Sequence, residues 1–276
     1  MLICILHEFK KLYYKKTTWF LIFTSAVIAV LSLIYHMVDY PWISHTGYIK
    51  SMCEVSLIRD STIGLFLLPF IIPLFSSIMH SDTFFNEKTH KTTAVYIVKK
   101  GRRVYFWSKA IVVFFSSLFI SMLPFIINQL LCQIAYPLHE IRVDPGYYLP
   151  FNLEYEQSRL SYPGLYYNRP LVYNYLHILL VGIYGATLGL MSFIFSLFYK
   201  KHNKLVMLSF STIYSFIIAL FAITINMNDY VIMYYLLGQP TIKGVNIMNF
   251  YYMIAFLLLP GILLLFYRIR VERDIL

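Results

Sequence analysis

The stretch Asn86 to Lys109, NEKTHKTTAVYIVKKGRRVYFWSK, sets seven Lys or Arg residues between two strongly apolar runs. Cations at that density can pair with carboxylates, with lipid phosphates or with an acidic protein surface. They cannot make the usual nucleotide site unaided, because the chain holds no G-x-x-x-x-G-K-[ST] loop to cradle phosphates. Metal chemistry lacks a donor set as well. His7-Glu8 and His139-Glu140 have no second His at helical spacing, and no Cys/His cluster has ligand spacing. Neither a G-x-S-x-G nucleophile turn nor a paired acidic motif of the prenyl-transferring kind is present. The chain is expected to be no enzyme, with no catalytic residue, metal or cofactor of its own.

The elements that must position this arm follow from composition. Of 276 residues, 59% are hydrophobic and 13% charged, and the mean hydropathy of +0.65 is too high for a soluble domain. Six runs free of Asp, Glu, Lys and Arg can cross a hydrocarbon core of about 30 Å at ~1.5 Å per helical residue. They are 19–38, 63–79, 110–135, 175–199, 205–225 and 247–267. The expected fold is an all-α integral membrane protein with an interfacial helix over 1–17 and a six-helix transmembrane domain over 18–276. With a cytoplasmic N-terminus, 17 of the 23 basic residues fall on the inner side and six on the outer. Positive residues stay inside, so both termini are expected in the cytoplasm. The net charge of +10 then reads as orientation toward anionic lipid, with no call for nucleic acid. The first apolar run is long enough to span and lacks a small-residue cleavage site, so a retained helix is expected in place of a signal peptide.

Leu2, Ile5, Leu6, Phe9, Leu12 and Tyr13 share one helical stripe, with His7, Lys10, Lys11, Lys15 and Lys16 largely off it. Such a helix suits the inner interface, or serves as the basic flank of the first span. The outer loop 136–174 carries nine aromatic residues, eight of them Tyr, among five prolines. A compact cap that meets a substrate or partner, and an aromatic belt at headgroup depth, both fit that composition. YVIMYYLLG, ending at Gly238, is too short to span and reads as a re-entrant or interfacial half-helix. Gly182, Gly185, Ala186 and Gly189 contain a G-x-x-x-G suited to internal helix packing. Asn128 and Gln129, within the third run, are expected to hydrogen-bond between helices sooner than to bind substrate. The sequence leaves a disulfide between Cys53 and Cys132 open beside the alternative of lone buried thiols. The runs offer only neutral polar groups such as Asn128 and Gln129, with His36 and His177 close to their ends, so an ion-coupled carrier is disfavoured.

The inner segment 81–109 opens with Ser81-Asp82 as an N-cap and continues through Phe84, Phe85, Glu87, Lys88, Lys91 and Thr92 to Gly101, Arg102, Arg103 and Lys109. This order resembles the second inner segment of ABC-2 type permeases of ATP-binding-cassette exporters, with Glu87, Lys88, Thr92, Arg103 and Lys109 matching. It departs from the family where Lys91 replaces a usual Gly and where Pro is missing near Lys99 and Lys100. The amphipathic first helix, six spans and apolar element before the last span also resemble that family.

The resemblance implies a permease of a bacterial cytoplasmic membrane, paired with a second copy or a related permease and surrounded by membrane lipid. It implies that ATP and Mg are bound by a separate ATP-binding-cassette subunit. The segment 81–109 would be the coupling helix, and Gly64, Pro69 and Pro73 would loosen the second span at hinge points beside the transport route. The cargo would be amphipathic or hydrophobic: a peptide, a lipid or a drug-like molecule. A membrane sensor or scaffold whose outer loop binds a ligand is the competing class, and a secondary carrier the third.

Overall fold

Long apolar runs fold as helices because, away from water, only intrasegment bonding satisfies every backbone N–H and C=O. The computed structural model describes residues 1–39, 48–89, 101–138, 141–142, 162–198, 204–224, 232–237 and 247–271. Helix α1 (Leu2–Tyr13) leads into α2 (Lys16–Asp39). A 3₁₀ turn, Leu57–Arg59, then precedes α3 (Ser61–Phe66), a π-helical turn (Leu67–Ile71) and α4 (Ile72–Thr89). There follow α5 (Arg102–Ala135), α6 (Pro163–Asn168), α7 (Pro170–Phe198), α8 (Lys204–Thr224), α9 (Met233–Leu236) and α10 (Ile247–Val271). The segment after α2 and the segment after α5 meet in a short antiparallel bridge, Tyr48–Ile49 (β1) against Ile141–Arg142 (β2), with Tyr48 opposite Arg142.

Among the described residues, five segments are long and apolar enough to cross a membrane: Lys16–Val38, Thr62–Met79, Arg103–Ala135, Pro170–Phe198 and Ile247–Tyr267. The expected fifth span of the sequence reading appears as α8, 21 residues long, whose described apolar part is the shorter Ser209–Phe221. The third span begins earlier than expected. Gly101, at φ 77°, turns the chain into α5, and the helix then runs from Arg102 without a break through Lys109. Nor does a separate helix start at Ser81-Asp82, since α4 continues through both residues to Thr89. A helix costs most at its nucleus, so extending one already formed is favoured over starting another.

Helix α7 is the hub: 78% of its apolar window is buried, against 28% for α2 and 33% for α10. The main core joins Leu68 and Ile72, Phe125 of α5, Tyr184 and Leu188 of α7, Leu236 of α9, and Phe250 and Leu257 of α10. Outward, Phe23 and Leu31 of α2, Phe221 of α8, and Phe256, Leu263 and Phe266 of α10 are exposed. Apolar exposure on that scale fits contact with lipid tails.

Close approach of α5 and α7 depends on the small residues noted in the sequence. A Cβ at Gly185 would fall on the Ser121 side chain; one at Gly189 would fall on Ser117 and 3.1 Å from the Ser76 carbonyl oxygen of α4. Ser117 Oγ donates to that same oxygen at 3.0 Å, so the Ser117 side chain of α5 sits between Gly189 of α7 and the backbone of α4. Ser211 of α8 donates to the Pro73 carbonyl at 2.8 Å, tying α8 to α4.

Asn128 and Gln129 work between elements, as expected. Asn128 accepts from the Leu57 amide at 2.7 Å and donates to the Ala29 carbonyl at 3.1 Å, while Gln129 accepts from Asn174 of α7 at 2.9 Å. Asn128→Leu should leave the Leu57 amide without a partner and destabilise the protein by about 1–3 kcal/mol, while the Ala29 carbonyl, interior to α2, keeps its helical bond. Reversible unfolding in mixed micelles measures this, and a loss indistinguishable from that of an exposed Asn→Leu change would refute it. Cys53 and Cys132 are free thiols buried in one cluster with Met52, Val55 and Tyr136.

Candidate functional site

Helix α1 turns its polar side toward the protein. Glu8 and Leu12 are buried, whereas Leu2, Leu6, Phe9 and Tyr13 are exposed. A soluble protein would bury the apolar stripe, so this arrangement suits a helix whose apolar side meets lipid and whose polar side docks on the bundle.

That polar side completes an ionic cluster with the end of α4 and the start of α5. Lys109 of α5, 0% exposed, lies 2.7 Å from Glu87 Oε2 and 3.8 Å from Glu8 Oε2. Lys11 bridges the two acids, 2.8 Å from Glu8 and 3.1 Å from Glu87. The Tyr105 hydroxyl donates to Glu87 at 2.5 Å, and the Lys109 ammonium lies 5.1 Å from the Tyr105 ring centre. Burial would raise the Glu87 carboxyl, but Lys109, the Tyr105 hydroxyl and Lys11 together hold it below its ordinary range. Burial likewise works to lower Lys11, and the two glutamates overcome it and raise the ammonium. Two acids against two bases leave the cluster near neutral. It can fix α1, the end of α4 and the start of α5 as one unit.

Of the residues read from the sequence as coupling contacts, Glu87 and Lys109 are thus brought together inside the fold, and Arg103 is exposed on the first turn of α5. Phe84, Phe85 and Lys88 lie on the last turns of α4 and Arg102 begins α5. Lys91 and Thr92 lie outside the described residues. Glu8, Lys11 and Tyr105 were missed by the sequence reading. The available signal was Glu8 and Lys11, spaced i, i+3, with Lys11 off the apolar stripe.

Of the expected hinge residues, Pro69 lies within the π-helical turn between α3 and α4. Proline supplies no N–H, which locally removes a rung of the α-helical ladder, and such π turns recur where helices must yield. A Cβ at Gly64 would meet the Leu237 side chain just after α9. Of the segment expected as a half-helix, the described residues form the single turn α9, with Tyr235 and Leu236 buried; Gly238 lies outside the described residues.

A second polar group lies at the other end of the bundle, where the 3₁₀ turn enters between helices. Arg59 is 5% exposed; its Nε donates to Asn174 Oδ1 at 2.8 Å, and its guanidinium carbon lies 4.2 Å from the Tyr166 ring centre. Asn174 Nδ2 reaches the Cys53 carbonyl, Ser56 Oγ and Gln129 Oε1 at 2.9–3.0 Å. Beside it, Asp60 caps α3 by accepting from the Thr62 amide at 2.7 Å and lies 3.3 Å from His36 Nε2. Burial would raise the Asp60 carboxyl; His36 and the Thr62 amide outweigh it and hold it low.

Among the described residues, no group of three or more His, Cys, Asp or Glu could hold a metal ion. No curated protein and no solved structure matched the chain in comparison. A family model described as "ABC-2 family transporter protein" matches residues 4–149, more than half of the chain. That span takes in α1 from its third residue, α4 and α5, the helices that meet in the ionic cluster. Permeases of this family are membrane transport components that normally work with a separate ATP-binding subunit. The apolar helices and the family match together identify a multi-pass membrane protein, and the chain belongs to the ABC-2 transporter family as a permease.

Proposed function

We propose that this permease exports an amphipathic or hydrophobic molecule, driven by ATP and Mg bound on a separate subunit. In this reading the protein has six spans in a bacterial cytoplasmic membrane, with α8 the fifth. At ~1.5 Å per residue its 21 residues reach about 31 Å. Both termini and the arm between α4 and α5 face the cytoplasm, and a second copy or a related permease completes the route.

The observation that carries the proposal is the ionic cluster at the root of the arm. A lever transmits force only if its base is stiff, and here both ends of the arm are joined through Glu87 and Lys109 to each other and to α1. Glu87 and Lys109 therefore position the arm, while the exposed Arg103 is available to the ATPase. Motion would be taken up at the π-helical turn, where Pro69 interrupts the second span between Gly64 and Pro73.

The test begins with gentle purification and mass spectrometry of co-purifying chains, where a subunit carrying a phosphate loop is expected. Arg103→Glu should then lower cargo-stimulated ATP hydrolysis by about tenfold, a loss of about 1.4 kcal/mol in coupling, with membrane insertion unchanged. Docking and coupling equal to wild type would remove the arm from the mechanism.

A further inference from the structure

Arg59 is buried, yet no carboxylate among the described side chains pairs with it. Glu8 and Glu87 belong to the inner cluster, Asp60 faces His36 and the Thr62 amide, and Glu54 accepts from the Ser51 amide. Arg59 Nε is committed to Asn174, Tyr166 and Tyr173 flank the guanidinium, and Nη2 has no hydrogen-bond partner. The amide orientations around it follow from that bond. Asn174 Oδ1 receives the Arg59 N–H, so Asn174 Nδ2 must donate, and it donates to Gln129 Oε1. Gln129 Nε2 is then the outward end of the chain of bonds, and it too is buried without a partner. The Tyr173 hydroxyl, on a ring 5.3 Å from the Arg59 guanidinium carbon, is a third.

Three unpartnered donors, one of them cationic, are therefore held by residues grouped around Asn174. A water molecule has two acceptor lone pairs and brings no charge. A carboxylate or phosphate has acceptors for all three and removes the cost of a buried lone cation. We propose that Arg59, Gln129 and Tyr173 form a site for the anionic head of an acidic amphiphile at the outer end of the bundle. This rests on the export reading above and names the class of cargo. In the helical spans the buried cation Lys109 is already paired with Glu87; the 3₁₀ turn that enters between helices offers Arg59.

The test uses the full chain with its native co-purifying subunits in phosphatidylcholine nanodiscs. Binding of sodium oleate, mono-oleoyl lysophosphatidate and oleyl alcohol is measured by titration calorimetry. Wild type should bind at least one acid about tenfold more tightly than the alcohol. The oleate arm reports a carboxylate and the lysophosphatidate arm a phosphate. Arg59→Gln and, separately, Gln129→Met should abolish this preference and leave alcohol binding unchanged; should Arg59→Gln not fold, Gln129→Met decides. Equal binding of all three probes by wild type, or a preference that survives in the folded variants, overturns the site. ATP hydrolysis is read in the same preparation. Hydrolysis without anion preference sinks the site and leaves the exporter; preference without any ATP-hydrolysing partner supports the site and sinks the exporter.

Discussion

Lys109→Met is expected to destabilise the protein by about 3–5 kcal/mol, the usual result of removing one partner from a buried ionic cluster. The ammonium is wholly inaccessible, with Glu87 at 2.7 Å and Glu8 at 3.8 Å. Its loss leaves Lys11 alone to balance two acids. Adding Glu87→Gln should recover much of the loss, because the remaining Glu8–Lys11 pair is again neutral and Tyr105 keeps a partner at position 87. A double-mutant cycle by reversible unfolding measures the coupling; additive effects would mean that the two groups do not interact. Acid should act in the same direction. Because folding lowers the Glu87 carboxyl, its contribution is complete above the ordinary carboxylate range and is lost as pH falls through the depressed folded value. Wild type should therefore lose stability in acid more steeply than Glu87→Gln, and parallel pH profiles would exclude the cluster as the cause.

Gly189→Leu should cost about 2–3 kcal/mol by overpacking the junction of α4, α5 and α7. The new side chain would begin against Ser117 and 3.1 Å from the Ser76 carbonyl oxygen, and backbone gives way less readily than a flexible side chain. Gly182→Leu should cost less, since the atoms in its way belong to the end of Met122 and to Leu118. Gly164→Leu is the control, with nothing within 4 Å of its Cβ. Unfolding midpoints in micelles should rank Gly164, Gly182 and Gly189 in order of increasing damage. Equal losses at Gly164 and Gly189 would mean that α5 and α7 do not touch there.

Some pairings lay beyond local reading. Glu87 and Lys109 stand in an order legible in the sequence, but their junction with Glu8 and Lys11 depends on where α1 docks, a contact across more than 70 residues. Ser81-Asp82 resembled a helix start because Ser and Asp cap helices well. In place they extend α4, since no break in the preceding turn releases the backbone donors that a cap would satisfy. Lys109 looked like the flank of a span and is instead interior, because α5 begins at Arg102 and carries position 109 two turns into the helix. Arg59, between the first two runs, is one of the six basic residues counted on the outer side. The apolar neighbours Leu57 and Ile58 draw it inward, both being buried in the main core.

The sequence by itself determined that the chain lives in a membrane, five of the runs that are long and apolar enough to cross it, that small residues would line α7 and that the usual catalytic motifs are absent. These properties depend on composition, run length and short spacings, which are local. Only the tertiary structure decided which polar groups lose water, and with whom. A lysine is a snorkelling flank or a buried cation according to what packs over it, and an arginine is solvated or lacks a counter-charge by the same rule. That outcome is set by contacts between segments far apart in the chain.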